Sequence, residues 1–336
     1  MCAARYLWTP VVVGMSGAGL LAAGCMPDGL LITPVTTNRE LVEETLVREP
    51  GLFPDKIALI DVTGILLNRR QSEFLGEGEH PVSLLLEQLD KARRDPGVKA
   101  AVLRINSPGG SVTAAELIHN EIQQFRAGGK PVIAVMMDVA ASGGYYVACA
   151  CDEIWAHKST VTGSIGVMAQ FLDVSGTMQK IGMSAPAITS GPNKAAGSPF
   201  APLSPEQREI FQSIVDGMYE GFLEVVKQGR PNLSEEQIRE AADGRVYAAN
   251  QALELGLIDR IGTLREAFSA AKEQVGAKSV RVVGYRRPLA YRPNYYARAG
   301  EAPVTRGRDV NVINVDLPGF LRDGTPQFLY LWVPGM

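Results

Sequence analysis

Histidine is scarce in this chain: His80, His119 and His157 are the only three in 336 residues. Any imidazole chemistry is confined to those positions. Cysteine is almost as rare, and four residues are too few for a disulfide scaffold. Cys149 and Cys151 stand two apart on a predicted helix, so they face different ways. That spacing disfavours a disulfide or a shared metal and reads them as buried structural thiols. An excess of either charge is also missing, with 33 Lys and Arg against 36 Asp and Glu for a formal charge of −3. With no basic stripe, the chain lacks the electrostatic footprint of a nucleic-acid binder, and that class is set aside. What is present is an apolar fraction of 46%, enough to build a buried core in one large or two ordinary domains.

Residues 1–30 form a separate unit. Arg5 precedes an uncharged run from Tyr6 to Pro27 that ends in small residues, the pattern of an export signal. Its Ala22-Ala23-Gly24-Cys25 ending resembles a lipoprotein box, in which cleavage before the cysteine leaves Cys25 lipid-modified, although Ala22 stands where that pattern has a larger aliphatic residue. The alternative is an uncleaved anchor, since about 20 apolar residues span a bilayer. Either reading attaches the chain to the cytoplasmic membrane, in contact with lipid, and places the remainder on the extracytoplasmic side.

Residues 31–55 are polar and proline-punctuated, and Arg39 to Glu44 suits a short solvated helix or linker. The body is expected over 56–285. Ile57–Val62, Val98–Ile105, Pro131–Met137 and Ile154–Ala156 read as strands, being short apolar runs rich in β-branched residues. Between them, Val82–Arg94, Thr113–Phe125 and Gly143–Cys151 read as helices. Later helices are expected at Pro205–Lys227, capped by Ser204, at Glu235–Leu255 around the turn Asp243-Gly244-Arg245, and at Thr263–Gln274. Val280–Val283 would be a last strand. Strands alternating with helices of ten or more residues imply an α/β fold with a parallel sheet covered by helices. Residues 286–336, rich in Arg, Pro and Tyr, read as a tail with little regular structure, in which Phe328–Val333 is an edge strand or an interface element.

In such folds ligands bind where loops leave the carboxyl ends of the strands. Two of those ends carry Asn106-Ser107-Pro108-Gly109-Gly110 and Ala141-Ser142-Gly143-Gly144-Tyr145-Tyr146, which should meet in space. A serine at a strand-to-helix turn followed by glycines is where a hydrolase exposes a nucleophile beside open backbone donors. Ser142 needs a base. Neither His119, inside an amphipathic helix, nor His157, beside Lys158, has an acidic neighbour in sequence that would complete a triad. A lysine can act instead where burial favours its neutral form. Lys194 is the candidate, the one basic residue between Lys180 and Arg208, among small and apolar residues that could enclose it.

These segments, together with Thr162-Gly163-Ser164-Ile165-Gly166-Val167, Ser190-Gly191 before Lys194, and Gly244-Arg245-Val246-Tyr247, resemble the signal peptide peptidase A family in its short, single-repeat form. The resemblance runs in order from Lys56 to Lys272. It implies a Clp protease/crotonase-like fold of repeated ββα units and a serine endopeptidase with a Ser/Lys dyad, degrading hydrophobic peptides such as remnant signal peptides. It implies Ser142 as nucleophile, Lys194 as general base, Ser164 orienting the lysine, and an oxyanion hole at Gly109 and Gly143. It also implies no metal or organic cofactor, and a homo-oligomeric ring in which neighbouring subunits contribute serine and lysine to one site. Two rival readings are a crotonase-like enzyme acting on an acyl-CoA, and a catalytically silent membrane scaffold. The tail has no counterpart in the resemblance.

Overall fold

The computed structural model of the chain describes residues 40–68, 72–73, 76–77, 80–287 and 327–332. Residues 1–30, read from sequence as an export signal or anchor, with Cys25, and most of the tail lie outside them. In chain order the elements begin with strands β1 (Val42–Arg48), β2 (Asp55–Thr63), β3 (Ser72–Glu73) and β4 (Gly76–Glu77), then α1 (Pro81–Arg94), β5 (Val98–Ser107), β6 (Gly109–Ser111) and α2 (Val112–Ala127). Next come β7 (Val132–Ala141), α3 (Gly143–Ala148), β8 (Glu153–Ala156), β9 (Val161–Gly163), β10 (Met168–Gln170), α4 (Ser175–Lys180) and α5 (Pro205–Gly229). The remainder is α6 (Glu235–Ala241), β11 (Val246–Ala248), α7 (Ala249–Glu254), β12 (Arg260–Ile261), α8 (Leu264–Gln274), β13 (Val280–Arg286) and β14 (Gln327–Leu331).

The main sheet runs β1-β13-β2-β5-β7-β8-β12, parallel throughout except for β1, and the end of β7 also pairs with β9. Side-chain alternation divides its strands between two cores. Ala58, Ile60, Leu103, Ile105, Ala134 and Met136 face α1, α2 and α3. Ile57, Leu59, Val102, Ile133 and Val135 face Leu264, Phe268 and Ala271 of α8. The apolar runs were thus unbroken because both faces are covered, as a parallel sheet requires. Full burial of each such aliphatic side chain contributes on the order of 2 kcal/mol.

The helix starts follow their caps. Ser204, Ser234 and Thr263 each accept from the backbone N–H three residues on, while Gln207, Gln237 and Glu266 reach back to the cap. Residues 42–48, expected in a linker or short helix, instead form β1, antiparallel to β13 across more than 200 residues of sequence. The charges that suggested solvation are paired on the strand. Glu43 meets Lys56 at 2.8 Å and Glu44 meets Arg286 at 3.1 Å. Residues 327–332 depart from an unstructured tail too. There β14 is neither an edge nor free, but the central strand of a small sheet ordered β10-β14-β6. Among the described residues no helix is long and apolar enough to cross a membrane.

One ion pair ties the later helices to the sheet. The Arg230 guanidinium forks onto Asp259 at 2.6 and 2.8 Å and also donates to the Gly256 carbonyl, while Asp259 accepts from the Ile154 N–H of β8. Removing one partner leaves the other half-buried and uncompensated. Arg230→Met is expected to cost about 3 kcal/mol, read as a lower midpoint in urea unfolding with an unchanged slope.

Candidate active site

At the carboxyl end of β7 the chain reverses into α3 through Ser142, which is 1% exposed. Its backbone sits at φ 53° and ψ −116°, a conformation costly for a residue with a Cβ. Neighbours hold it there: the Ser142 N–H donates to Gly163 O at 2.8 Å, and Ser142 O accepts from the Tyr146 N–H at 2.9 Å. Its hydroxyl is not used to cap α3. The helix that follows opens on Gly143, whose N–H is among those a helix start leaves without an intrahelical acceptor.

The turn of Gly109 lies against this helix start. Gly109 has φ 104°, and a Cβ there would fall 1.9 Å from Tyr330 O and 2.7 Å from Gly143 N. A Cβ on Gly143 would stand 3.2 Å from the Gly109 Cα. Gly109 needs glycine because two backbones and a third strand converge there, whereas a Cβ on Gly143 would press on its neighbours. The Gly109 N–H donates to Ser107 Oγ at 3.1 Å, and the Ser107 hydroxyl in turn donates to Gly64 O at 2.6 Å. The loops after β5 and β7 do therefore meet.

Ser164 comes to the same place by way of β9, which pairs with β7 on one side and β11 on the other. Its φ is 50°, its N–H donates to Arg245 O at 2.7 Å, and its side chain is buried. Ser142 and Ser164 line one cleft of about 520 Å³, together with Ile165, Met168, Leu329 and Trp332. Asp216 and Asp243 also border it.

Lys194 is not among the residues lining that cleft. It is exposed, in a turn whose Lys194 N–H donates to Gly191 O. Asn193 Nδ2 donates to Glu206 and Gln207 Nε2 to Pro192 O, fastening this turn to the start of α5. The enclosure expected from its small and apolar neighbours is not formed among the described residues.

Two of the histidines have other work. His80 Nδ1 accepts from the Ser83 N–H as the cap of α1, and His119 packs edge-on against Tyr146 with ring centroids 5.2 Å apart. Burial, opposed by a hydrogen bond to Asn120, holds the His119 pKa below its ordinary 6.5. Cys149 and Cys151 are buried, and desolvation pushes the Cys149 thiol up to about 12 and Cys151 upward as well. They are inert packing groups. Among the described residues no cluster of three or more His, Cys, Asp or Glu is placed to hold a metal ion.

An aromatic cluster beside the site was not read from sequence. Tyr146 of α3, Phe222 of α5 and Tyr330 of β14 pack together, with centroids 4.7 to 5.2 Å apart. The second tyrosine after Gly143-Gly144 and the alternation in Phe328–Trp332 were the available signals. Their meeting depends on long-range register.

Two outcomes follow from this geometry. Gly109→Ala is expected to destabilise the chain by about 2 kcal/mol or more in denaturant titration, because its Cβ would meet backbone on two sides. For His119, the unfolded chain binds a proton that the native state resists. Its contribution is therefore whole above pH 6.5 and is lost as pH falls through the depressed native value. Melting temperatures measured between about pH 7.5 and pH 5 should fall less steeply for His119→Phe than for the wild type.

Comparison with known proteins agrees with this architecture. Residues 124–278 match the profile of Peptidase family S49, and residues 58–155 match that of Clp protease. The chain is 34% identical over 249 residues to a protein of Enterococcus faecium named "Putative signal peptide peptidase SppA", covering 74% of this chain and 72% of that one. It is 37% identical over 225 residues to "Protease 4" of Haemophilus influenzae, covering 67% of this chain but only 36% of that longer protein. Against "Serine protease SPPA, chloroplastic" of Arabidopsis thaliana it is 36% identical over 255 residues, covering 74% of this chain and 37% of the relative. A Clp-like parallel sheet, a positive-φ serine turn at the end of β7 and a relative matched over 72% of its length lead to one conclusion: the chain belongs to Peptidase family S49 and is a serine peptidase.

Proposed function

We propose that this peptidase is a membrane-associated endopeptidase that degrades hydrophobic peptides, remnant signal peptides foremost, from the extracytoplasmic side of the cytoplasmic membrane. The observation that carries the chemistry is the strained Ser142 turn packed against Gly109 and Gly143. Ser142 Oγ attacks the peptide carbonyl while Lys194 accepts its proton and later delivers it to the leaving amine. The tetrahedral oxyanion is held by the Gly143 N–H and by the Gly109 N–H, which it takes from Ser107 Oγ as charge develops. Each preorganised donor of this kind lowers the barrier by about 3 kcal/mol. Ser164, facing the same cleft, orients the lysine amine.

The lysine comes from a neighbouring subunit. Its exposure and its absence from the lining of the Ser142 cleft support this reading, as do Leu172, Ile181, Met183, Ile188, Phe200, Ile210 and Ile214. These large apolar side chains are exposed within one span around α4 and the start of α5, more than an isolated subunit leaves in water without a partner. A homo-oligomeric ring buries them and carries each Lys194 to the next subunit's Ser142. The substrate class rests on the apolar side chains that share the cleft, Ile165, Val167, Met168, Leu329 and Leu331, and on the name of the E. faecium relative. Membrane attachment rests on the N-terminal apolar run, through a lipid on Cys25 or through an uncleaved anchor.

Ser142→Ala and Lys194→Ala are each expected to reduce turnover of a fluorogenic peptide by at least about 10³-fold. Ser164→Ala should give a smaller loss. Mixing subunits of the two inactive variants, unfolded and reassembled together, should restore part of the activity, because some sites then combine an intact Ser142 with an intact Lys194. Full activity in either single variant ends the dyad, and no recovery on mixing ends the shared site.

A further inference from the structure

Strand β7 does not arrive at Ser142 as a plain member of the sheet. Its parallel register with β5 runs evenly up to Met136 opposite Ile105, then resumes with Ala140 opposite Ser107. Between those pairs β5 supplies one residue, Asn106, and β7 supplies three, Met137, Asp138 and Val139. Two extra residues therefore bow out of the ladder just before the serine turn. A bulge of this kind re-aims whatever follows it, and the backbone groups it frees must find other partners.

Those partners are side chains. On one flank Thr160, 1% exposed, shares its hydroxyl proton between Met136 O and Met137 O, and the fully buried Thr162 donates to Ala140 O at 2.7 Å. On the β5 flank, Asn106 Oδ1 accepts the Val139 N–H at 3.2 Å while Asn106 Nδ2 donates to Asp138 Oδ2 at 3.2 Å. The carboxamide is thus fixed from both ends, its oxygen by an N–H and its nitrogen by a carboxylate. An aspartate could meet only the first demand, and a leucine of similar shape neither. Its place in the chain gives the contact a purpose. Asn106 lies three residues before Gly109, and Val139 lies three residues before Ser142.

We propose that Asn106 is a positioning residue of the peptidase, its carboxamide standing in for the interrupted ladder between β5 and β7 and so setting the offset of Ser142 from Gly109 and Gly143. The proposal rests on the reading of Ser142 as nucleophile and of the two glycines as oxyanion donors. Asn106 is not among the residues lining the Ser142 cleft, so its removal leaves the peptide-binding walls in place. The effect therefore belongs to kcat. A misplacement of about 1 Å between reacting groups costs on the order of 10²-fold in rate.

The test uses the full chain, with folding checked by circular dichroism and turnover of a fluorogenic peptide referred to the sites that a fluorophosphonate titrates. Asn106→Leu and Asn106→Asp should each lower kcat by about 30-fold with KM held within about twofold. Leucine removes both bonds, whereas aspartate keeps the acceptor but sets two carboxylates face to face. Asp138→Asn alone should lose about threefold or less, because its amide oxygen still accepts from Asn106. Joining Asn106→Asp to Asp138→Asn reverses donor and acceptor, and should recover at least about tenfold of the kcat lost in Asn106→Asp. A side chain that merely filled space would show no such recovery. Undiminished kcat in folded Asn106→Leu, a loss confined to KM, or no recovery in the paired variant overturns the inference. Should both single Asn106 variants fail to fold, the paired variant decides: recovered folding and turnover uphold the link, and failure to recover either ends it. Ser142→Ala keeps the two readings apart. Turnover that survives it removes the nucleophile and this inference together, whereas turnover lost in Ser142→Ala but whole in the Asn106 variants removes the positioning role alone.

Discussion

The site depends on one close approach, that of the Gly109 and Gly143 backbones. Each lies at the end of a central parallel strand, and the parallel pairing of β5 with β7 brings those ends together. A side chain on Gly109 would overlap its neighbours, and one on Gly143 would press on them at 3.1 to 3.2 Å. The rest of the site is arranged around that contact. Ser142 is forced to positive φ so that the chain can leave β7 and enter α3 at once, and β9 pairs with the end of β7 to hold the serine through its backbone N–H. Two buried cores on either face of the sheet keep the strand ends fixed while the loops carry the chemistry.

Much of this was legible in the residues, for identifiable reasons. Strands β2, β5 and β7 are apolar on both faces and stop at glycine or polar turns, so local composition suffices to find them. Helices α5 and α8 begin at Ser204 and Thr263, whose capping geometry is written within four residues. Strand β1 was obscure because Glu43 and Glu44 look like solvent-facing charges until Lys56 and Arg286 arrive from distant parts of the chain. The same holds for β14, whose alternation signals a strand while its place between β6 and β10 is a matter of tertiary register.

Within the site, Ser142, Gly109, Gly143 and Ser164 lie in glycine-rich turns that advertise themselves, and the structure gathers them. Lys194 does not advertise itself. It rests in an exposed turn outside the lining of the Ser142 cleft. The aromatic cluster beside the site escaped notice for the opposite reason, since Tyr146 and Phe222 look like ordinary core residues until the ring between them proves to come from β14.

Two non-glycine residues among those described hold positive φ, and both are serines of the cleft, Ser142 and Ser164. Each carries conformational strain of about 1 kcal/mol or more that a glycine would not. Replacement by glycine at either position would relax the backbone while deleting the hydroxyl. The fold thus has a stability reserve stored at the two places where the proposed chemistry calls for a hydroxyl, and variants selected for heat resistance alone would tend to release it by giving up those side chains.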